Sequence, residues 1–263
     1  MTKLGKKTLL TAVTAGLTGV VLSACTFGNP GSGENTVTES AVTESISEAE
    51  TTTMKKESQK KSEFYTSKIT DDIFERIEGR SYKDYCTLPV EDLRYIHVLH
   101  VDKDGKEKEG EIICNKYIAD DVLDIFEELY KAEYPIESVR LVDEYDADDE
   151  KSMADNNSSS FNYRLISYSD TVSKHALGLA VDINPRYNPY VKEIDGDLSV
   201  EPENGVKYVD RDKDFPYKID ENDLAYKLFT KKGFEWGGEW EDEKDYQHFE
   251  MPDKIVEKLY PDE

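Results

Sequence analysis

The stretch Ser173-Lys174-His175-Ala176-Leu177-Gly178-Leu179-Ala180-Val181-Asp182 sets an imidazole and a carboxylate seven residues apart, and Asp245-Tyr246-Gln247-His248 adds a second imidazole with a spare acid beside it. His175, Asp182 and His248 make up a donor set that suits a catalytic zinc ion, which takes three protein ligands and keeps a fourth position for water. Asp245, three residues before the last of them, is the candidate general base for that water. Spacing also constrains the backbone. Residues an odd number apart on a straight strand face opposite ways, so His175 and Asp182 meet one ion only if the chain bends between them. Gly178 is the residue best able to supply the bend. The small apolar run Ala180 to Ile183 predicts a buried strand with Asp182 as its one polar residue. His248-Phe249-Glu250-Met251 alternates as a second strand, which leaves Asp245 in the loop before it.

Further matches surround these two clusters. Ser173-x-His175-x2-Gly178-x-Ala180-x-Asp182 is followed by Ile183-Asn184-Pro185 and Asn188-Pro189-Tyr190, and Trp236-Gly237-Gly238-Glu239-Trp240 precedes His248-Phe249-Glu250. In order and spacing this resembles the VanY-type zinc D,D-carboxypeptidases and their relatives the L-alanyl-D-glutamate endopeptidases, with the branch containing phage endolysin peptidases nearest. The resemblance is densest over 156–251. It implies a hedgehog/D,D-peptidase-like fold, one zinc ion held by His175, Asp182 and His248, Asp245 as base, and peptidoglycan stem peptides as substrate. It also marks Arg164, in the segment Asn156 to Arg164, as a group that holds the substrate carbonyl or carboxylate. A guanidinium near the metal stabilises the oxyanion that forms when water adds to a peptide carbonyl. The plainer reading of Arg164 is a surface arginine in an acidic protein.

Other residues admit two readings each. Trp236 and Trp240 are either core aromatics or part of the substrate cleft, and Tyr190 joins them as a cleft candidate. Ser173 reads as a hydrogen-bonding residue that positions His175, not as a nucleophile. Glu250 shares strand parity with His248 and so has the better claim to support a ligand from behind; Asp170 reads as solvated. His97 and His100, in Leu93 to Val101, fall on opposite faces of a strand and make poor partners for one metal, although His100 has the better chance of overhanging the cleft.

The rest of the chain divides by composition. Residues 1–25 read as a lipoprotein signal peptide: Lys3, Lys6 and Lys7, then an apolar stretch from Leu9 to Val21, then Leu22-Ser23-Ala24-Cys25, which resembles a lipobox with Cys25 as the acylated residue. An ordinary secretory signal is the alternative. Lipidation of Cys25 would hold the protein on the outer face of a bacterial cytoplasmic membrane. Residues 26–65, rich in Ser, Thr and Glu, read as a disordered tether with a reach of about 30–35 Å. Residues 66–263 form the expected zinc peptidase domain, an α+β single domain with a small, mostly antiparallel sheet carrying the zinc site, flanked by helices. The periodicity predicts helices near 71–78, 119–131 and 221–232, the last capped by Gly233, with strands near 95–101 and 111–115 and strands or loops near 139–144.

The 263 residues carry 33 basic and 57 acidic side chains, a net charge of -24. That balance argues against nucleic acid as partner, because phosphate binding needs clustered cations. Cys86 and Cys114 remain once Cys25 is set aside; they are either paired or free. The expected activity is D-alanyl-D-alanine carboxypeptidase by a monomer, with L-alanyl-D-glutamate endopeptidase as the alternative within the family. A catalytically silent wall-binding lipoprotein and a metal-scavenging lipoprotein are the alternatives outside it. Four histidines are few for a scavenger.

Overall fold

In the computed structural model, which describes residues 63–166 and 171–261, Tyr65–Lys68 (β1) pairs antiparallel with the middle strand of the largest sheet, Tyr65 opposite His97. The boundary expected at residue 66 therefore falls inside β1. The signal segment with Cys25, the tether up to residue 62, and Asp170 lie outside the described residues. All the described residues fall within one unit of the chain.

Helix α1 (Asp71–Ile77) follows, with Asp71 and Asp72 in its first turn and Ile73 and Ile77 buried one turn apart. Acids at a helix N-terminus complement its dipole, and the i, i+4 apolar pair docks it on the core. Strands β2 (Leu93–Val101) and β3 (Glu107–Asn115) form a long hairpin, and β1-β2-β3 is one antiparallel sheet. Helix α2 (Ala119–Lys131) buries Val122, Ile125, Phe126 and Leu129, the i, i+3, i+4, i+7 stripe of an amphipathic helix. These elements form the core with Ile96, Val98, Ile112 and Ile113.

The second half of the chain is built from short pieces. Ser138–Val139 (β4) is followed by a 3-10 turn, Val142–Tyr145, and by helix α3 (Asp149–Ala154); β4 pairs in parallel with β5 (Asn157–Ser158). Strand β6 (Ala180–Asp182), β7 (Tyr190–Ile194) and β8 (Asp197–Glu201) come next, then helix α4 (Leu224–Lys231). That helix starts three residues later than the periodicity predicts, because the Asp223 carboxylate accepts the Ala225 N–H and sets the N-cap there. Strands β9 (Glu235–Trp236), β10 (Lys244–Asp245) and β11 (His248–Glu250) precede helix α5 (Asp253–Leu259).

Helices and mainly antiparallel strands give the expected α+β class, but not one sheet. Besides β1-β2-β3 there are two more three-stranded antiparallel sheets, β6-β11-β9 and β10-β7-β8. The expected loop position of Asp245 is corrected accordingly: Asp245 lies on β10, opposite Tyr190 of β7. Tyr246 and Gln247 carry the chain from one sheet to the other. Among the described residues no helix is long and apolar enough to cross a membrane. Cys86 and Cys114 are not joined in a disulfide, and Cys114 is buried in the core.

Candidate metal centre

Strand pairing brings the two distant sequence clusters together. In the β6–β11 ladder, His248 stands directly opposite Asp182. His175 reaches them from a 3-10 turn, Lys174–Leu177, which ends at Gly178 in the left-handed conformation, φ +64°. This is the bend that the odd spacing requires. The turn is held at both ends: Ser173 Oγ accepts the His175 N–H at 3.2 Å, and Asn115 at the end of β3 donates its own N–H to the Gly178 carbonyl at 2.8 Å. A Cβ on residue 178 would stand 2.7 Å from that Asn115 nitrogen.

The three side chains meet tightly. His175 Nε2 lies 3.1 Å from Asp182 Oδ2 and 3.1 Å from His248 Nδ1, and His248 Nδ1 lies 3.0 Å from Asp182 Oδ1. All three residues are buried. The far nitrogens fix the tautomers. His175 Nδ1–H donates to the Ser160 carbonyl at 2.6 Å, and His248 Nε2–H donates to Glu250 Oε2 at 3.0 Å. Both inward nitrogens thus offer lone pairs to one point that they share with a carboxylate, the arrangement that ring-nitrogen partners impose on metal-ligating histidines. Zinc ligands at about 2.0–2.2 Å in a tetrahedron stand about 3.3 Å apart, so the triangle needs to open by only a few tenths of an ångström. The residues fit the ion, and among the described residues this is the one cluster of its kind.

Burial disfavours charge on His248, but hydrogen bonds to Asp182 and Glu250 outweigh it and raise its pKa to about 10. Asp182 is held far below the usual carboxylate range by His175 and His248 despite its burial. Glu250 is lowered as well: burial opposes this, while the bond from His248 and the charge of Lys174, whose Nζ lies 2.8 Å from Glu250 Oε1, favour it.

A cleft of about 290 Å³ opens onto this triangle, lined by Asp245, Arg164, Tyr190 and Trp240 among others. The Asp245 Oδ1 atom is sealed from solvent without a hydrogen-bond partner. Burial pushes the Asp245 carboxyl up to about 8, with the Asp182 charge adding to the rise and His248 and Arg164 opposing it. Gly237 makes room for it, since a Cβ there would stand 2.8 Å from the Asp245 Cβ. Arg164 lies in the cleft wall, its Nη2 2.7 Å from Asp149 Oδ2. It is therefore not the free surface arginine of the plainer reading.

The aromatic candidates separate. Trp240 flanks the site, its ring 5.5 Å from that of His248, and the Tyr190 hydroxyl donates to Glu243 at 2.7 Å on the cleft rim. Trp236 does not line the cleft and is corrected to a core residue: it is 4% exposed, donates Nε1–H to the Tyr246 carbonyl and packs on Tyr226. His97 and His100 are likewise elsewhere. Their Nδ1 atoms bond the carbonyls of Glu63 and Ile136, and neither lines the cleft, so the prospect of His100 overhanging it is withdrawn. Three contributors escape a reading of side chains in sequence. Ser160 acts through its main-chain carbonyl, Asp149 sits in the uniformly acidic run Asp146 to Glu150 broken only by Ala147, and Lys174 could have been noticed only for its place beside His175.

A family model described as D-alanyl-D-alanine carboxypeptidase matches residues 167–251. The matched stretch includes His175, Asp182, Tyr190, Asp245, His248 and Glu250, and it begins after Arg164. At the level of family it supports a hydrolase of the metallopeptidase kind, a kind that depends on zinc. No curated protein and no solved structure matches the chain.

Proposed function

We propose that this chain is a zinc metallopeptidase acting on peptidoglycan stem peptides, with removal of the terminal residue of D-Ala-D-Ala as its reaction. One observation carries the reading: two imidazole lone pairs and the Asp182 carboxylate converge at 3.0–3.1 Å at the floor of a cleft into which an unpartnered Asp245 oxygen is sealed. His175, Asp182 and His248 would hold the ion. Zinc, when bound, supplies Lewis acidity that makes a water more acidic and polarises a carbonyl.

The remaining roles belong to the chain's own side chains. Asp245 takes a proton from the attacking water and passes it to the leaving amine, a task suited to a carboxylate with a raised pKa and no competing hydrogen bond on Oδ1. Arg164 donates to the oxyanion as the carbonyl becomes tetrahedral. Trp240 and Tyr190 shape the walls that receive the peptide. Glu250 and the Ser160 carbonyl keep both imidazoles in the tautomer that binds cations.

A second reading, cleavage of the L-Ala-D-Glu bond inside the stem, draws support from the continuation of the cleft. Beyond Arg164, Asp149, Met153 and Glu201 a further cavity of about 570 Å³ begins, room for residues past the scissile bond. A silent wall-binding protein would have no use for an Asp245 kept unpartnered. Placement on the outer face of the cytoplasmic membrane through acylated Cys25 is proposed from the sequence of residues 1–25, and a monomer from the cleft being complete within one chain.

Mass spectrometry of a pentapeptide muropeptide incubated with the zinc-loaded protein tests the reaction. Loss of one alanine, abolished by a chelator, is the expected result. Release of a fragment beginning at D-Glu would transfer the assignment to the endopeptidase, and an intact substrate would overturn both.

A further inference from the structure

We infer that Asp149 is a positioning residue that holds the Arg164 guanidinium in the cleft wall, an inference that rests on the peptidase reading above. Asp149 is the first residue of α3, and the cap of that helix is supplied by its neighbour: Asp148 accepts the Lys151 N–H at 3.1 Å. The Asp149 carboxylate is thus released from capping and meets Arg164 Nη2 at 2.7 Å, both side chains 24% exposed and both lining the cleft. Among the described residues the other contacts of the guanidinium are weak: Nη1 reaches the carbonyl of the next residue, Leu165, at 3.3 Å, and Nε is sealed without a partner.

An arginine so placed is pulled two ways. Asp149 is the acid that acts on it most strongly, followed by Asp182 and Asp245. The latter two are the groups whose negative charge the reaction needs, one to hold the ion and one to take a proton. Without Asp149, the long and rotatable arginine side chain would turn toward them, cover the base and leave the place where the oxyanion forms. With Asp149 in place, one guanidinium edge is tied to α3 and the rest faces the cleft. The Arg164 main chain is held by Ser173 N–H, which donates to the Arg164 carbonyl at 3.1 Å, and among the described residues aiming the side chain falls to the ion pair with Asp149.

A double-mutant cycle in the zinc-loaded protein, with Asp149→Asn, Arg164→Ala and the two combined, tests this. Asp149→Asn is expected to lower kcat about tenfold with KM little changed, and to have no further effect once Arg164 is alanine. Equal effects in both backgrounds would overturn the inference. Asp149→Glu, which displaces the carboxylate by one methylene, is expected to lose kcat less than Asp149→Asn; an unchanged kcat in both would also overturn it. A second readout needs no turnover: nitrogen NMR of the Arg164 guanidinium, expected to rotate slowly in the parent protein and fast in Asp149→Asn. If the parent protein cleaves no stem peptide while that contrast is present, the peptidase reading fails and the pairing stands. If the guanidinium signal is the same in both, the pairing fails.

Discussion

His248 meets two demands at once, since its Nδ1 lone pair must face the shared point while its Nε2–H is held by Glu250 at 3.0 Å. Removing that partner in Glu250→Ala frees the ring to rotate and to exchange tautomers. Zinc affinity is expected to fall about 10–100-fold, measured by competition with a chelating dye. The same residue gives the metal-free protein a pH signature. The folded-state pKa of His248, near 10, exceeds its ordinary 6.5, so the folded state binds the extra proton. The resulting stability is complete below pH 6.5 and is lost as pH rises toward 10. Asp245 works in the same sense, because its pKa is raised from 3.8 to about 8. The melting temperature of the metal-free protein should therefore fall from pH 6 to pH 10. Zinc, by taking the proton's place on His248, should flatten that fall, and a metal-free protein stabilised by rising pH would contradict the assignment. For turnover the decisive residue is Asp245: Asp245→Asn is expected to keep zinc and lose kcat by a factor of about 100 or more.

At the scale of elements, the site depends on short pieces braced by longer ones. The turn that presents His175 is pressed against the end of β3, and Gly178 permits both its left-handed φ and the close approach of Asn115. Gly178→Ala is expected to destabilise the fold by about 1–3 kcal/mol in urea unfolding, with zinc affinity falling alongside. The sequence made the long elements legible: α1, α2 and the β2–β3 hairpin have enough residues for periodicity to declare itself. It also revealed the bend at Gly178 and the meeting of His175, Asp182 and His248, because ligand chemistry and parity constrain them together. The division of the strands among several small sheets was not legible, since β9 and β10 have two residues each and no period can be read from two. Nor could spacing decide between core and cleft for Trp236 and Trp240. Four residues and one tight turn separate a ring buried against Tyr226 from one facing His248. Asp149 was hidden among neighbouring acids, and only the fold shows which of them meets Arg164.

For the molecule as a whole, a net charge of -24 makes the field around the cleft attractive to divalent cations and repulsive to anionic polymers. On the proposed function, a protein charged in this way would gather zinc readily and meet its substrate by shape and directed contacts more than by electrostatic steering. The core built on β1-β2-β3 and α2 gives the site a rigid back wall, and the cleft lies where the two smaller sheets meet, so that Asp182 and His248 come from one sheet and Asp245 from the other. The central claim is that these side chains hold one catalytic zinc ion. The most direct measurement is zinc titration of the metal-free protein, following bound metal and stem-peptide hydrolysis together. The account predicts that one equivalent binds and restores turnover in the parent chain, that Asp245→Asn binds one equivalent without turnover, and that His175→Ala does neither. Full hydrolysis by the metal-free protein, or by His175→Ala, would contradict it.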